Sequence, residues 1–386
     1  MDNVKPVIRH GRTADFKVVM ERVLLSFSEN NPTHPAFETL APEVCRPDTV
    51  NEWLLAEMDG ELAAGMQVVP RHLVVAGNIH VPVAGLANVF CYPPYRKHGL
   101  MSALLQRMTE EACQGGFAIS MLGGDRLRYG RYGWEHAGAE RTLQISSGMR
   151  RAEKEEPVSV TSIRRWRGDR RDVRRMHEAY QALPYHTERT EDQMDRTLRR
   201  SNGNVAVWIC DQPETGFAYV CLNGDSIAEY AGATPALELL IRFLLKSRSW
   251  NVRLPPIEAE TEREKLLLGC AQGFSVVPAA MIRIVALHRT LACYKPVLTR
   301  RLRGWQGSVT LAVKDDAEQV TLSGKGGRLT MRRGGTAADR VITLDIRDMA
   351  RLLFGPFPPA LGPAQDDEFV RRAFPLPLYW HSLSHV

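Results

Sequence analysis

The chain has 386 residues, 44% of them hydrophobic and 24% charged, with 30 glycines and 23 prolines. That composition excludes disordered, collagenous and membrane classes and allows two or three folded domains. The net charge of +6 is unevenly spread: residues 1–140 carry 13 Lys/Arg against 16 Asp/Glu, which is −3, and the rest carry 37 against 28, which is +9.

The helical spacing of Phe16, Val19, Val23, Leu24 and Phe27 predicts an amphipathic helix over residues 13–29. Two apolar runs at 53–58 and 62–69 flank Asp59-Gly60, the signature of a hairpin. A strand at 84–91 ends at Pro93-Pro94, a helix follows over 99–114, and 117–122 reads as a short buried strand. Residues 150–157 are charged and apolar-poor, a linker in composition. Beyond them a similar order recurs, with a helix at 168–183, strands at 205–210 and 216–223, a helix at 236–247 and a strand at 279–287. A third unit follows, with strands at 309–313, 319–322, 329–331 and 341–344 and a helix at 346–354; Gly324 to Gly327 reads as its hairpin turn, not a P-loop.

Arginines cluster at 164–175, but acidic residues are interleaved and no aromatic ladder accompanies them, so a solvated helix face is expected and no nucleic-acid partner. The seven cysteines are widely spaced, without a CxxC pair, and predict reduced thiols and no metal site. Residues 1–6 lack an apolar signal core, and charge interrupts every apolar stretch well before the roughly 20 residues of a membrane span. A cytoplasmic protein with no membrane partner is the expectation.

Two segments carry chemistry. In Val89-Phe90-Cys91-Tyr92-Pro93-Pro94-Tyr95-Arg96-Lys97-His98-Gly99-Leu100-Met101-Ser102, a proline-stopped strand leads through a basic turn into a helix. The first N–H groups of that helix lack internal acceptors, its dipole is positive there, and Gly99 permits close approach of a pyrophosphate. Arg96 and Lys97 would add charge-assisted contacts of about 1.5–3 kcal/mol each. The second segment, Gly123-Gly124-Asp125-Arg126-Leu127-Arg128-Tyr129-Gly130-Arg131-Tyr132-Gly133-Trp134, follows the buried strand.

Together the two segments resemble the GNAT acetyltransferase superfamily, and the length and tripartite order resemble its Eis-like (enhanced intracellular survival) branch. The resemblance implies an α/β (α+β) protein of tandem GNAT folds with mixed, largely antiparallel sheets: a catalytic domain at 1–150, a degenerate GNAT domain without a cofactor site at 151–289, and a sterol-carrier-protein-like domain at 290–386. It implies acetyl-CoA as co-substrate, a cationic amine as acceptor, and a homo-oligomer, hexamers occurring in the family. On that resemblance Val89, Phe90 and Cys91 offer strand backbone to the acetyl and pantetheine portion. Lys97, His98, Gly99, Leu100, Met101 and Ser102 cradle the pyrophosphate, Gly124 and Asp125 line the pantetheine side, and Tyr129 is the general acid. The C-terminal carboxylate, here on Val386, is the family's general base, with His381 or His385 as alternatives. A catalytically silent acyl-CoA-binding protein, or a lipid carrier, is the competing expectation.

Overall fold

The computed structural model describes residues 6–29, 31–147, 162–200, 205–256, 261–314, 318–335 and 337–384. The linker expected at 150–157, His385 and Val386 lie outside these residues. In chain order the helices are α1 (Phe16–Ser28), α2 (Phe37–Leu40), α3 (Leu100–Gln114), α4 (Arg126–Tyr129), α5 (Arg170–Gln181), α6 (Glu191–Leu198), α7 (Thr234–Leu245), α8 (Glu262–Leu268), α9 (Leu287–Cys293), α10 (Lys295–Arg301), α11 (Ile346–Phe354) and α12 (Glu368–Ala373). The strands are β1 (Val7–His10), β2 (Trp53–Met58), β3 (Glu61–Val75), β4 (Ile79–Cys91), β5 (Ile119–Leu122), β6 (Glu135–Ile145), β7 (Ile163–Arg165), β8 (His186–Thr187), β9 (Ala206–Gln212), β10 (Gly216–Asn223), β11 (Ser226–Gly232), β12 (Trp250–Leu254), β13 (Ala271–Ile284), β14 (Gly307–Val313), β15 (Gln319–Lys325), β16 (Arg328–Arg333) and β17 (Arg340–Leu344).

The predicted β2–β3 hairpin turns on Asp59 (φ 54°) and Gly60 (φ 78°), both left-handed as a two-residue hairpin turn of this hand requires. β3 and β4 both run further than their sequence pattern suggests, because they pair with each other to the Val75↔Ile79 end. The arginine run is a solvated face: Arg164 forks onto Asp172 at 2.6 and 2.7 Å, and Arg175 pairs with Asp211. None of the seven cysteines forms a disulfide, and among the described residues no helix is long and apolar enough to cross a membrane.

Thirteen strands form one sheet in the order β1-β2-β3-β4-β5-β13-β6-β12-β11-β10-β9-β7, with β8 paired to β3. The sheet continues across 150, and in chain order it ends with β13 at Ile284, before 289. β13, from the second half of the chain, lies between β5 and β6, antiparallel to both. β6 in turn pairs with β12. The mixed, largely antiparallel character expected of the fold is present, with parallel pairing at β4–β5 and β11–β12.

Those two parallel pairs show the internal repeat. Each is joined by a crossover helix, α3 in the first and α7 in the second. Each separates early: β4 pairs with β5 only over Val83–Gly85, and β11 with β12 only at Ser226 and Ile227. Each long strand also carries a bulge just past that point, marked by register slips between Gly65 and Gln67 on β3 and between Cys221 and Leu222 on β10. A bulge re-aims the backbone and increases local twist, so the paired strands splay.

In the second pair the splayed region meets the chain's own tail. His381 is buried, with its ring 5.7 Å from Tyr180 of α5, 5.8 Å from Tyr230 of β11 and 5.4 Å from Tyr379. Leu383 joins the core formed by α5, α6 and β9–β11. Ser384 Oγ accepts from Arg189 Nη2 at 2.6 Å and lies 3.0 Å from the Tyr180 hydroxyl. Arg189 is itself paired at 2.8 Å with Glu229, a fully buried carboxylate that also accepts from Tyr219 at 2.8 Å. Breaking a buried pair on one side costs about 3–5 kcal/mol. Arg189→Met is therefore expected to lower stability by that order in denaturant titration, and Arg189→Met/Glu229→Met by much less.

The third unit is a four-stranded sheet in the order β16-β15-β14-β17, and the predicted Gly324–Gly327 turn joins β15 to β16. α11 packs on β6 and β13 of the large sheet. Its Met349, Leu352 and Leu353 share one hydrophobic cluster with Val81 and Val83 of β4 and Ile119 of β5.

Candidate active site

The first splayed pair builds the site. β4 and β5 run parallel, so their C-terminal ends point the same way, and ligands of open α/β sheets bind beyond such ends. Past Gly85, among the described residues, no strand pairs with β4 on its β5 side. The bulge there is held at Asn88, whose φ is +50°, a conformation that Asn tolerates better than most residues. Asn88 Nδ2 donates to Gln67 Oε1 at 2.8 Å, and the buried Gln67 Nε2 donates to the Val44 carbonyl at 2.8 Å and to Glu52 at 3.1 Å. The polar chain fixes the bulge from beneath.

From the end of β4 the chain turns through Pro93–Tyr95 into α3. Lys97 and Gly99 both have left-handed backbones, at φ 70° and 74°. Gly99 caps α3, no side chain caps the helix, and a Cβ there would meet open space. Lys97, His98, Gly99 and Ser102 are exposed, and Leu100 is buried against Leu104 and Leu105. Met101 is half-buried, and Ser102 Oγ lies 2.8 Å from the Tyr132 hydroxyl. Arg96 points elsewhere: its Nη2 meets both Glu29 oxygens at 2.7 Å and its Nε donates to the Cys91 carbonyl at 3.2 Å. It ties the loop to the end of α1. Phe90 is buried, its ring 6.2 Å from Trp53, so only its backbone faces the gap; Val89 and Cys91 are half-buried.

Across the gap, Gly124 follows β5, and a Cβ on it would stand 2.7 Å from the Tyr129 ring. Asp125 caps α4, accepting from Leu127 N–H at 2.7 Å. Tyr129 is the last residue of that single turn, buried, with its ring edge-on to Trp134 at 6.5 Å. Burial pushes its phenol above the ordinary value, and Arg128 opposes the shift. The group stays protonated at neutral pH, as a proton donor must. One edge therefore offers free strand backbone, an uncapped cationic helix start and a protonated phenol, a set that fits a long polyanionic thioester carrier. Among the described residues no three His, Cys, Asp or Glu side chains group as a metal ion would need.

The family of the acetyltransferase (GNAT) domain matches residues 7–137. Those residues form a GNAT acetyltransferase domain. No curated protein matches the chain significantly. Among solved structures, the chain resembles a GCN5-related N-acetyltransferase from Anabaena variabilis at 17% identity, covering 97% of this chain and 99% of that one with a TM-score of 0.69. It also resembles a GCN5-related N-acetyltransferase from Kribbella flavida (16% identity, 100% and 99% covered, TM-score 0.67) and Eis1 from Mycobacterium abscessus (18% identity, 96% of each chain, TM-score 0.64). At these identities the likeness is one of fold, and it extends beyond the acetyltransferase domain over nearly the whole chain.

Of the residues named as general bases, only His381 lies within the described residues. His381 lies in the aromatic enclosure beside β11, where burial and the nearby Arg189 and Arg263 push its imidazole down to about 3. A ring with so little proton affinity is a poor base at neutral pH. An unfolded histidine takes up a proton near pH 6.5, whereas this one stays neutral in the fold until about pH 3. The unfolded state thus binds more protons across that window, and stability falls as pH falls. Thermal melts of wild type and His381→Phe are expected to diverge below about pH 6.5, the wild type losing more.

Sequence reasoning did not single out the Asn88–Gln67 pair or Glu135. An asparagine inside an apolar strand, a position where it is disfavoured, was the available signal for the first.

Proposed function

We propose that the protein is an acetyl-CoA-dependent N-acetyltransferase acting on a primary amine of a cationic small molecule, aminoglycoside- or polyamine-like, or on lysine. The observation that supports this reading is that β4 and β5 stop pairing at Gly85 while the turn after β5 carries Tyr129, whose buried phenol stays protonated at neutral pH. The neutral amine attacks the thioester carbon, forming the C–N bond. Strand N–H groups near Val89 to Cys91 receive the developing oxyanion. As the C–S bond breaks, the departing thiolate accepts a hydrogen bond and then the proton of Tyr129. The pyrophosphate would lie on Lys97, His98 and the α3 start from Gly99 to Ser102, with Gly124 and Asp125 along the pantetheine.

The Val386 carboxylate is proposed, on the family resemblance alone, as the base that takes the amine proton. The mildly acidic first 140 residues favour a cationic acceptor. The division at 150 and 289, a sterol-carrier-protein-like third unit, a homo-oligomeric, hexameric assembly and a cytoplasmic site of action belong to the same proposal. Thiol release from acetyl-CoA across a panel of polyamines, aminoglycosides and lysine peptides tests it. Amine-dependent release is expected; tight acetyl-CoA binding with no release from any amine would establish the catalytically silent alternative.

A further inference from the structure

Glu135 opens β6 directly after the turn that carries Tyr129, and it is 3% exposed. Its carboxylate gathers five N–H donors. Arg126 contributes Nε and Nη2 at 2.5 and 2.7 Å, and the His136 backbone N–H is at 2.8 Å. Arg347 contributes Nε at 2.9 Å and, closer still, Nη2. Burial alone would raise the Glu135 pKa, but these donors hold it down at about 2. Arg126 begins α4 and Glu135 follows the turn, so the carboxylate fastens entry and exit of the segment together. Arg347 comes from α11 in the third unit. Its guanidinium carbon would stand 3.3 Å from a Cβ at Gly130, the residue after Tyr129, and Ile346 closes on Gly133 at 2.9 Å in the same sense.

A four-residue helix has no stability of its own. Tyr129 must owe its placement to what grips the segment: ring packing on Trp134 from inside, and the Arg126–Glu135–Arg347 cluster from outside. We infer that the third unit takes part in the reaction through Arg347, a positioning residue that clamps the Tyr129 turn by way of Glu135. The inference rests on the reading of Tyr129 as the proton donor. It gives the C-terminal unit a role that needs no ligand of its own.

The test is Arg347→Met in the full chain. Glu135 keeps both Arg126 bonds in this variant, so the fold should survive. Because a misplacement of about 1 Å can cost about 10²-fold, kcat is expected to fall at least about tenfold with KM for acetyl-CoA unchanged. Amide exchange across residues 126–134 should quicken while β4 and α3 stay protected. Arg347→Lys, which keeps the charge without the fork, should recover part of the rate. Arg351→Met, one turn along α11 and bonded to Asp348, should behave as wild type. Wild-type kcat and exchange in Arg347→Met would overturn the clamp, as would exchange that quickens over the whole chain. A wild type that releases no thiol with any amine would sink the proposed function and not the clamp, which the exchange rates still decide.

Discussion

Tyr129→Phe is expected to lower turnover by about 10²–10⁴-fold, the range that a positioned proton donor contributes, while acetyl-CoA binds as in the wild type. The ring packs on Gly124 and Trp134, and phenylalanine preserves those contacts. The loss falls on kcat because the hydroxyl serves the departing sulfur and not the ground state. pH dependence separates this role from simple packing. A proton donor fails as pH rises through its pKa, and burial moves that point above the ordinary tyrosine value. Wild-type activity should therefore persist well into the alkaline range before Tyr129 limits it, and the variant should lack that alkaline limb. Undiminished turnover at all pH values would remove Tyr129 from the reaction.

Gly99→Asp is expected to weaken acetyl-CoA binding by at least about 10²-fold, read by calorimetry. Two effects add. The left-handed backbone at φ 74° costs a residue with a Cβ about 1–2 kcal/mol. The new carboxylate also occupies the positive end of α3, where it would satisfy the dipole and repel the pyrophosphate. Gly116→Asp supplies the control: Gly116 has φ 88° and open space around its missing Cβ, but it lies beyond the other end of α3. It should pay the same backbone strain and leave the affinity untouched. Equal losses in both variants would mean that strain, not the anion site, governs binding.

The parts of the site legible in the sequence are those whose physics is local. Proline stops, a glycine before a helical apolar stripe and an Asp-Gly turn act over a few residues, and β2, β3, α3 and β5 follow from them. The segment ending in Trp134 was visible for the same reason. β6 was not, because Glu135 and Glu140 interrupt its apolar alternation, and their burial draws on partners far along the chain, Arg347 and Arg253. No pattern within 315–347 announces that Arg347 belongs beside Gly130. Arg96 shows the converse limit: charge and position suggested a phosphate ligand, yet Glu29 and the Cys91 carbonyl claim its guanidinium. The left-handed Asn88 could have been suspected, but its Gln67 partner comes from a neighbouring strand and becomes visible only once register is known.

β13 has the widest reach of these features. It supplies the strand that joins β5 to β6, and it ends at Ile284. A ribosome must therefore complete about three quarters of the chain before the acetyltransferase sheet can close. Until then the facing edges of β5 and β6 have no mate, the kind of exposed edge that invites pairing between molecules. A fragment ending near residue 150 would carry every residue that matches the acetyltransferase family and would still be left with that open slot. The first third, which matches the acetyltransferase family, thus depends on later residues for closure, and recombinant truncation near residue 150 should yield aggregate where the 386-residue chain stays in solution.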